Sequence, residues 1–217
     1  MSQDMLMLLV EALGETLYMV AVSSLVAALL GIPLGVILVI SGKGHIKENL
    51  AFNQSLGAIV NAARSTPFII LMVAIIPFTR IIAGTSIGTN AAIVPLSLAA
   101  IPFVARIVES ALKEVDAGLV EAAQAMGASP AQIILKVLIP EAMPSIVLGL
   151  TLTIISLIGY SAMAGAIGGG GLGDLAIRYG YQRFRGDVML ATVVILIALV
   201  QIVQSSGDYF ASKLNKR

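Results

Sequence analysis

Thr151, Thr153, Ser156, Tyr160 and Ser161 place a series of hydroxyls within one otherwise apolar stretch of the chain. A hydroxyl becomes a nucleophile only beside a base, and paired carboxylates or metal ligands would be the alternative machinery. The apolar stretches supply no His, Cys, Asp or Glu for any of these roles. The whole chain has no Cys and one His, which removes disulfide frameworks, thiol nucleophiles and Cys/His zinc sites by count. His45 lies in a polar loop and reads as a solvated residue. Gly168, Gly170 and Gly173 match a dinucleotide-binding glycine fingerprint, yet that motif works between a strand and a helix, and here it follows a long apolar run. No Lys-Ser or Lys-Thr follows it either, so a phosphate loop is excluded and a flexible or tightly turned glycine loop is expected. No catalytic residue, metal site or cofactor is expected.

What these hydroxyls sit in is set by composition. The chain has 217 residues, of which 58% are hydrophobic and only 12% charged, the balance of an integral membrane protein. Its net charge of +1 and the lack of a dense Lys/Arg block leave no footprint for nucleic acid. A membrane-spanning helix needs about 20 mainly apolar residues to cross a hydrocarbon core about 30 Å thick. Five segments meet that requirement, near residues 16–40, 55–79, 90–108, 144–167 and 187–207. The third is the shortest and carries Pro95 and Pro102. The first is too long for a signal-peptide core and is preceded by acidic residues rather than Lys or Arg, so it is expected to remain as a span.

Cytoplasmic loops carry the excess of Lys and Arg. Lys43, Lys47, Arg64, Arg106, Lys113, Lys136, Lys213, Lys216 and Arg217 fall on one side, against Arg80, Arg178, Arg183 and Arg185 on the other. This asymmetry predicts an outside N-terminus, a cytoplasmic C-terminus and a cytoplasmic loop over residues 109–143. No Asp, Glu or Lys falls inside a central apolar run, whereas ion-driven carriers place such groups there to bind the driving ion. Uphill movement would need energy from a partner.

The 109–143 loop reads as two short helices. Asp116 can cap a first helix over 117–126, and Gly127 stands at the left-handed C-terminal position. Ser129, Pro130 and Gln132 fit the cap, first turn and capping box of a second helix that runs toward Val137, with Pro140 expected to end it. Leu119, Val120, Ala123 and Met126 recur at helical spacing, so one face is apolar. That face either packs on the cytoplasmic ends of the spans or fits a partner's groove. DNA is disfavoured, because the loop carries two Lys against five acids.

Glu121-Ala122-Ala123, Gly127 and Val137-Leu138-Ile139-Pro140 together resemble the signature loop of permease subunits in ATP-binding-cassette importers. That pattern is Glu-Ala-Ala, three residues, Gly, nine residues, then Ile-x-Leu-Pro, and here Val137 and Ile139 replace its Ile and Leu. Within the family the chain is most similar to the methionine-import branch, through Arg64-Ser65-Thr66-Pro67-Phe68-Ile69-Ile70, Ile76-Pro77-Phe78-Thr79-Arg80, Gly84-Thr85-Ser86-Ile87-Gly88 and Gly159-Tyr160-Ser161-Ala162-Met163. The resemblance implies an all-α integral membrane protein of the bacterial inner membrane. It would be a single permease domain over 1–217 with five transmembrane helices and a coupling hairpin between spans 3 and 4. It implies a second copy of the chain, two cytoplasmic ATP-binding subunits and an extracytoplasmic substrate-binding protein as partners. Glu121, Ala122, Ala123 and Gly127 would then form the contact with the ATPase.

In the fourth span Tyr160 and Met163 are bulky among small and hydroxyl residues and share a helix face. They either fill gaps between helices or narrow a passage. An importer permease for an amino acid, methionine before other small solutes, is the leading reading, with an intramembrane enzyme and a structural anchor as the alternatives of a different class.

Overall fold

In a computed structural model, residues 3–215 are described; Lys216 and Arg217, counted above for orientation, lie outside them. The described residues form helices and turns with no strand. The order is α1 (Gln3–Ile40), α2 (Leu50–Ser65), α3 (Phe68–Ala74), α4 (Ile76–Ala83), α5 (Thr89–Lys113), α6 (Ala117–Ala125), α7 (Pro130–Ile133), α8 (Ile139–Ala164), α9 (Gly171–Leu175) and α10 (Gly186–Leu214). Four helical stretches are long and apolar enough to cross a membrane: Gln3–Ile40, Thr89–Lys113, Pro130–Gly169 and Gly186–Leu214. With 38 residues, α1 reaches roughly 57 Å, well beyond a hydrocarbon core, so its first turns extend past the apolar layer.

The expected uninterrupted span over 55–79 is corrected. α2 and α3 meet at an angle of 100°, the bend of a broken span or of a re-entrant loop rather than of one straight helix. The cause is local: Pro67 lacks an amide donor and forces Thr66 out of the helical region to an extended φ of −79° and ψ of 121°. A second interruption at Ile75 separates α3 from α4, which begins with Pro77 in its first turn. Counting α2 with α3 as one span gives five.

A second correction concerns Pro140, which does not end the hairpin's second helix. The chain passes from α7 through a wide π-helical turn, Ile134–Leu138, directly into α8. In that turn the Ile139 amide donates to the Ile134 carbonyl, five residues back, and the wider coil leaves room for the proline ring against the preceding turn. Hairpin and fourth span are thus one continuous rod.

The core is organised on α5, with α1 against one flank and α8 against the other, and α10 outside α8. Small residues set these crossings. Ser23, Ala27, Gly31 and Gly35 recur every four residues on the buried side of α1, where a Cβ on Gly31 would lie 2.7 Å from Val104 and one on Gly35 2.6 Å from the Ala105 carbonyl. Helices in lipid gain little from hydrophobic burial against each other and rely on such close backbone approach. Met19, Leu96, Val104, Val108 and Leu157 fill the layer between. Apolar side chains such as Leu25, Leu29 and Ile197 face outward, as a lipid-facing surface requires.

Candidate functional site

The hairpin is built from local signals. The Gly118 amide donates to Asp116 Oδ1 at 2.7 Å, opening α6. Gly127 closes it at φ +77°, with the Gly127 amide bonded to the Gln124 carbonyl and the Ala128 amide to the Ala123 carbonyl, the paired bonds of a Schellman end. Ser129 and Gln132 then complete a reciprocal capping box. The four residues singled out from sequence do not share one environment. Ala123 is 4% exposed and packs inward, with Val120 against the same core, while Glu121, Ala122 and Gly127 are exposed. Beyond them Met126 stands 82% exposed and Leu119 is also open. The apolar face therefore divides, one edge seated on the chain's own helices and the other bare.

α8 carries both Tyr160 and Met163, and the structure gives them different surroundings. The Tyr160 ring stacks on Phe68 of α3, with centroids 4.7 Å apart and planes 7° from parallel. Met163 is 46% exposed, on a face shared with Leu148, Leu152 and Gly159 that is open among the described residues. A Cβ on Gly159 would meet nothing within 4 Å. The Thr153 and Ser156 hydroxyls donate to the carbonyls of Gly149 and Leu152 within the helix, so neither stands beside a base. No group of three His, Cys, Asp or Glu among the described residues could hold a metal ion.

Two features were not read from the sequence. The glycine run takes the tightly turned form of the two expected, and what the sequence did not show is that the turn is seated against α1. Gly170 and Gly171 take φ values of +79° and +75°, which an L side chain resists. The Gly171 amide donates to Glu15 Oε2 at 2.6 Å and the Leu172 amide to Thr16 Oγ1 at 2.9 Å. The second feature is Arg64, counted above as a charge of one loop, which ends α2 at the break and lies over the Phe103 ring at 5.7 Å. A charged residue within an otherwise apolar segment was the available signal.

At the opposite rim from the hairpin, Tyr181 and Phe184 project freely, Phe184 at 89% exposure and φ +56°. Arg178 pairs with Asp174 and Arg185 with Asp187. The Arg185 guanidinium donates to the Asp187 carboxylate, and that bond raises the Arg185 pKa above its ordinary value.

A family model described as "Binding-protein-dependent transport system inner membrane component" matches residues 31–216. The chain is 60% identical to a probable D-methionine transport system permease protein MetI of Vibrio cholerae, over 97% of this chain and 93% of that protein. It is 53% identical to the D-methionine transport system permease protein MetI of Escherichia coli K12, over 76% of each. A solved structure of the MetNI methionine ABC transporter in inward-facing conformations contains a chain similar to this one at 49% identity and a TM-score of 0.97, with both chains fully covered.

Proposed function

This chain belongs to the family of binding-protein-dependent transport system inner membrane components, and we propose that within it the protein is the methionine-importing permease of an ATP-binding-cassette transporter. The observation that carries the reading is the match to methionine permeases along nearly the whole of both chains. A passage, rather than chemistry on the substrate, is what this chain supplies, and ATP hydrolysis belongs to a separate subunit.

Two copies of the chain enclose the passage, each bound to a cytoplasmic ATP-binding subunit, and an extracytoplasmic substrate-binding protein delivers the amino acid from the other side. The chain is one permease domain over 1–217 in a bacterial inner membrane, with its N-terminus outside and its C-terminus in the cytoplasm. Residues 109–143 form the coupling loop, in which Glu121, Ala122 and Gly127 face the ATPase and Ala123 anchors the hairpin to its own helices. Because α7 runs unbroken into α8, a push on the hairpin tilts the span that carries Tyr160 and Met163. The bare face of α8 meets its symmetry mate, and Met163 narrows the passage there.

Reconstitution with the cognate ATPase and binding protein tests this reading, with uptake measured over a panel of amino acids and both methionine stereoisomers. ATP-dependent accumulation of methionine is expected. Accumulation of another solute in its place would retain the transporter class and replace the substrate.

A further inference from the structure

Arg64 stands in the last turn of α2, just before the 100° bend into α3. Its guanidinium contacts the Phe103 ring and makes no ion pair among the described residues. The contrast with Arg106 on the neighbouring face of α5 is informative. Arg106 is matched by Glu109 and by the Gly57 carbonyl at 2.7 Å, the pattern of a structural cation. Arg64 has an aromatic wall and no acceptor. A guanidinium stays charged under all ordinary conditions and presents a fork of donors matched to a carboxylate.

The surroundings of Arg64 complete a recognisable donor and acceptor set. A chamber of about 50 Å³ is lined by Arg64 together with Phe68, Phe103, Thr153, Ser156 and Tyr160. Arg64 and Phe103 also border a wider cleft of about 370 Å³ that runs along α5 and α8 to Ser110 and Ser145. The Thr153 and Ser156 hydroxyl protons are committed to carbonyls of their own helix, which leaves the oxygens as acceptors. A fork of cationic donors, hydroxyl acceptors opposite and aromatic faces between them suit one ligand class. That class is a zwitterionic α-amino acid with an apolar, polarisable side chain.

We propose that this chamber is a transit site inside the permease, in which Arg64 binds the substrate carboxylate, the α8 hydroxyls receive the ammonium group and Phe103 contacts the side chain. The carboxylate meets the guanidinium by paired, charge-assisted hydrogen bonds, which Lys reproduces only as a point charge. A thioether against an aromatic edge adds a further favourable contact. The small chamber takes the charged head group, and the side chain extends into the wider cleft. Because α2 breaks at Thr66, movement of α3 with Tyr160 would alter the chamber without unfolding a helix. The site rests on the amino-acid importer reading given above.

The test uses the assembled permease–ATPase complex without binding protein, and measures equilibrium binding of methionine and of its decarboxylated analogue 3-methylthiopropylamine. The wild-type complex is expected to prefer methionine, and Arg64→Gln to lose that preference by about 10- to 100-fold, the loss of one charge-assisted contact, with amine binding retained. Arg64→Lys should keep part of the preference, and it carries the test if Arg64→Gln does not assemble. Phe103→Leu should weaken both ligands together. No methionine binding to the wild-type complex, or an unchanged preference in both Arg64 variants, would overturn the site. ATP-driven methionine uptake by the wild-type transporter is scored separately: its absence sinks the importer reading, whereas intact uptake with unchanged preference sinks only the transit site.

Discussion

The Glu15 carboxylate accepts the Gly171 amide at 2.6 Å across 156 positions of sequence, and this bond holds the glycine turn against the first helix. Glu15→Ala leaves that amide without its acceptor in a partly buried place. The expected loss is about 1–3 kcal/mol, read as a lower thermal midpoint of the purified complex, with partial recovery in Glu15→Gln, which keeps an acceptor oxygen. Equal midpoints for all three proteins would remove the turn's dependence on Glu15.

Gly35 sits in the close crossing of α1 and α5, and any Cβ there meets the Ala105 carbonyl and Val108. Gly35→Val should force the two helices apart at a cost of about 1–3 kcal/mol, as overpacking does elsewhere. Gly14→Ala, on the same helix with open space around it, is the matched control and should melt as the wild type does. A Gly35→Val protein as stable as the control would mean that the crossing is not set by the small-residue stripe.

Glu121→Lys and Gly127→Val should each uncouple ATP hydrolysis from transport, by different routes. Lys reverses a charge on the exposed side of α6, while Val resists the φ of +77° at the turn and misdirects α7. Membrane insertion should be nearly unchanged, since neither residue lies in a span. Assembly with the ATPase and transport at the wild-type rate in both variants would take the coupling role away from the hairpin.

Topology follows from the same placement. With the proposed orientation, Phe184→Cys should react with an impermeant thiol reagent applied outside, because that residue projects freely at the end of the molecule away from the hairpin, while Ala128→Cys in the hairpin should be protected. Labelling of the hairpin position from outside would reverse the orientation and the coupling role together.

The sequence made the hairpin's ends readable because each signal is local. Asp116, Gly127, Ser129 and Gln132 act on backbone groups within a few residues of themselves. Hydropathy located the spans but averaged across Thr66-Pro67, whose geometry breaks the second one, although the dipeptide itself carried the warning. Pro140 was misread because a proline ends a regular α-helix, and the π turn that accommodates it is a property of the surrounding rod. The sequence left the glycine run between flexible and tightly turned because the partners that order it, Glu15 and Thr16, lie at the other end of the chain. Arg64 and Phe103 belong to different helices, and no spacing rule brings them together. The surroundings of Met163 are equally beyond a single chain, since the face it occupies is bare until something covers it.

That two copies of this chain meet along the Met163 face of α8 and enclose a closed passage is tested most directly by crosslinking Met163→Cys in the reconstituted transporter, with passive solute flux through Met163→Ala measured in parallel. In such a dimer each Met163 would meet its own mate near the two-fold axis, so one substitution would remove two obstructions. The expected result is a crosslinked permease dimer in the resting state, less crosslink when ATP and loaded binding protein are present, and a raised ATP-independent leak in Met163→Ala. No crosslink under any nucleotide condition, together with wild-type flux in Met163→Ala, would contradict it and leave Met163 facing lipid.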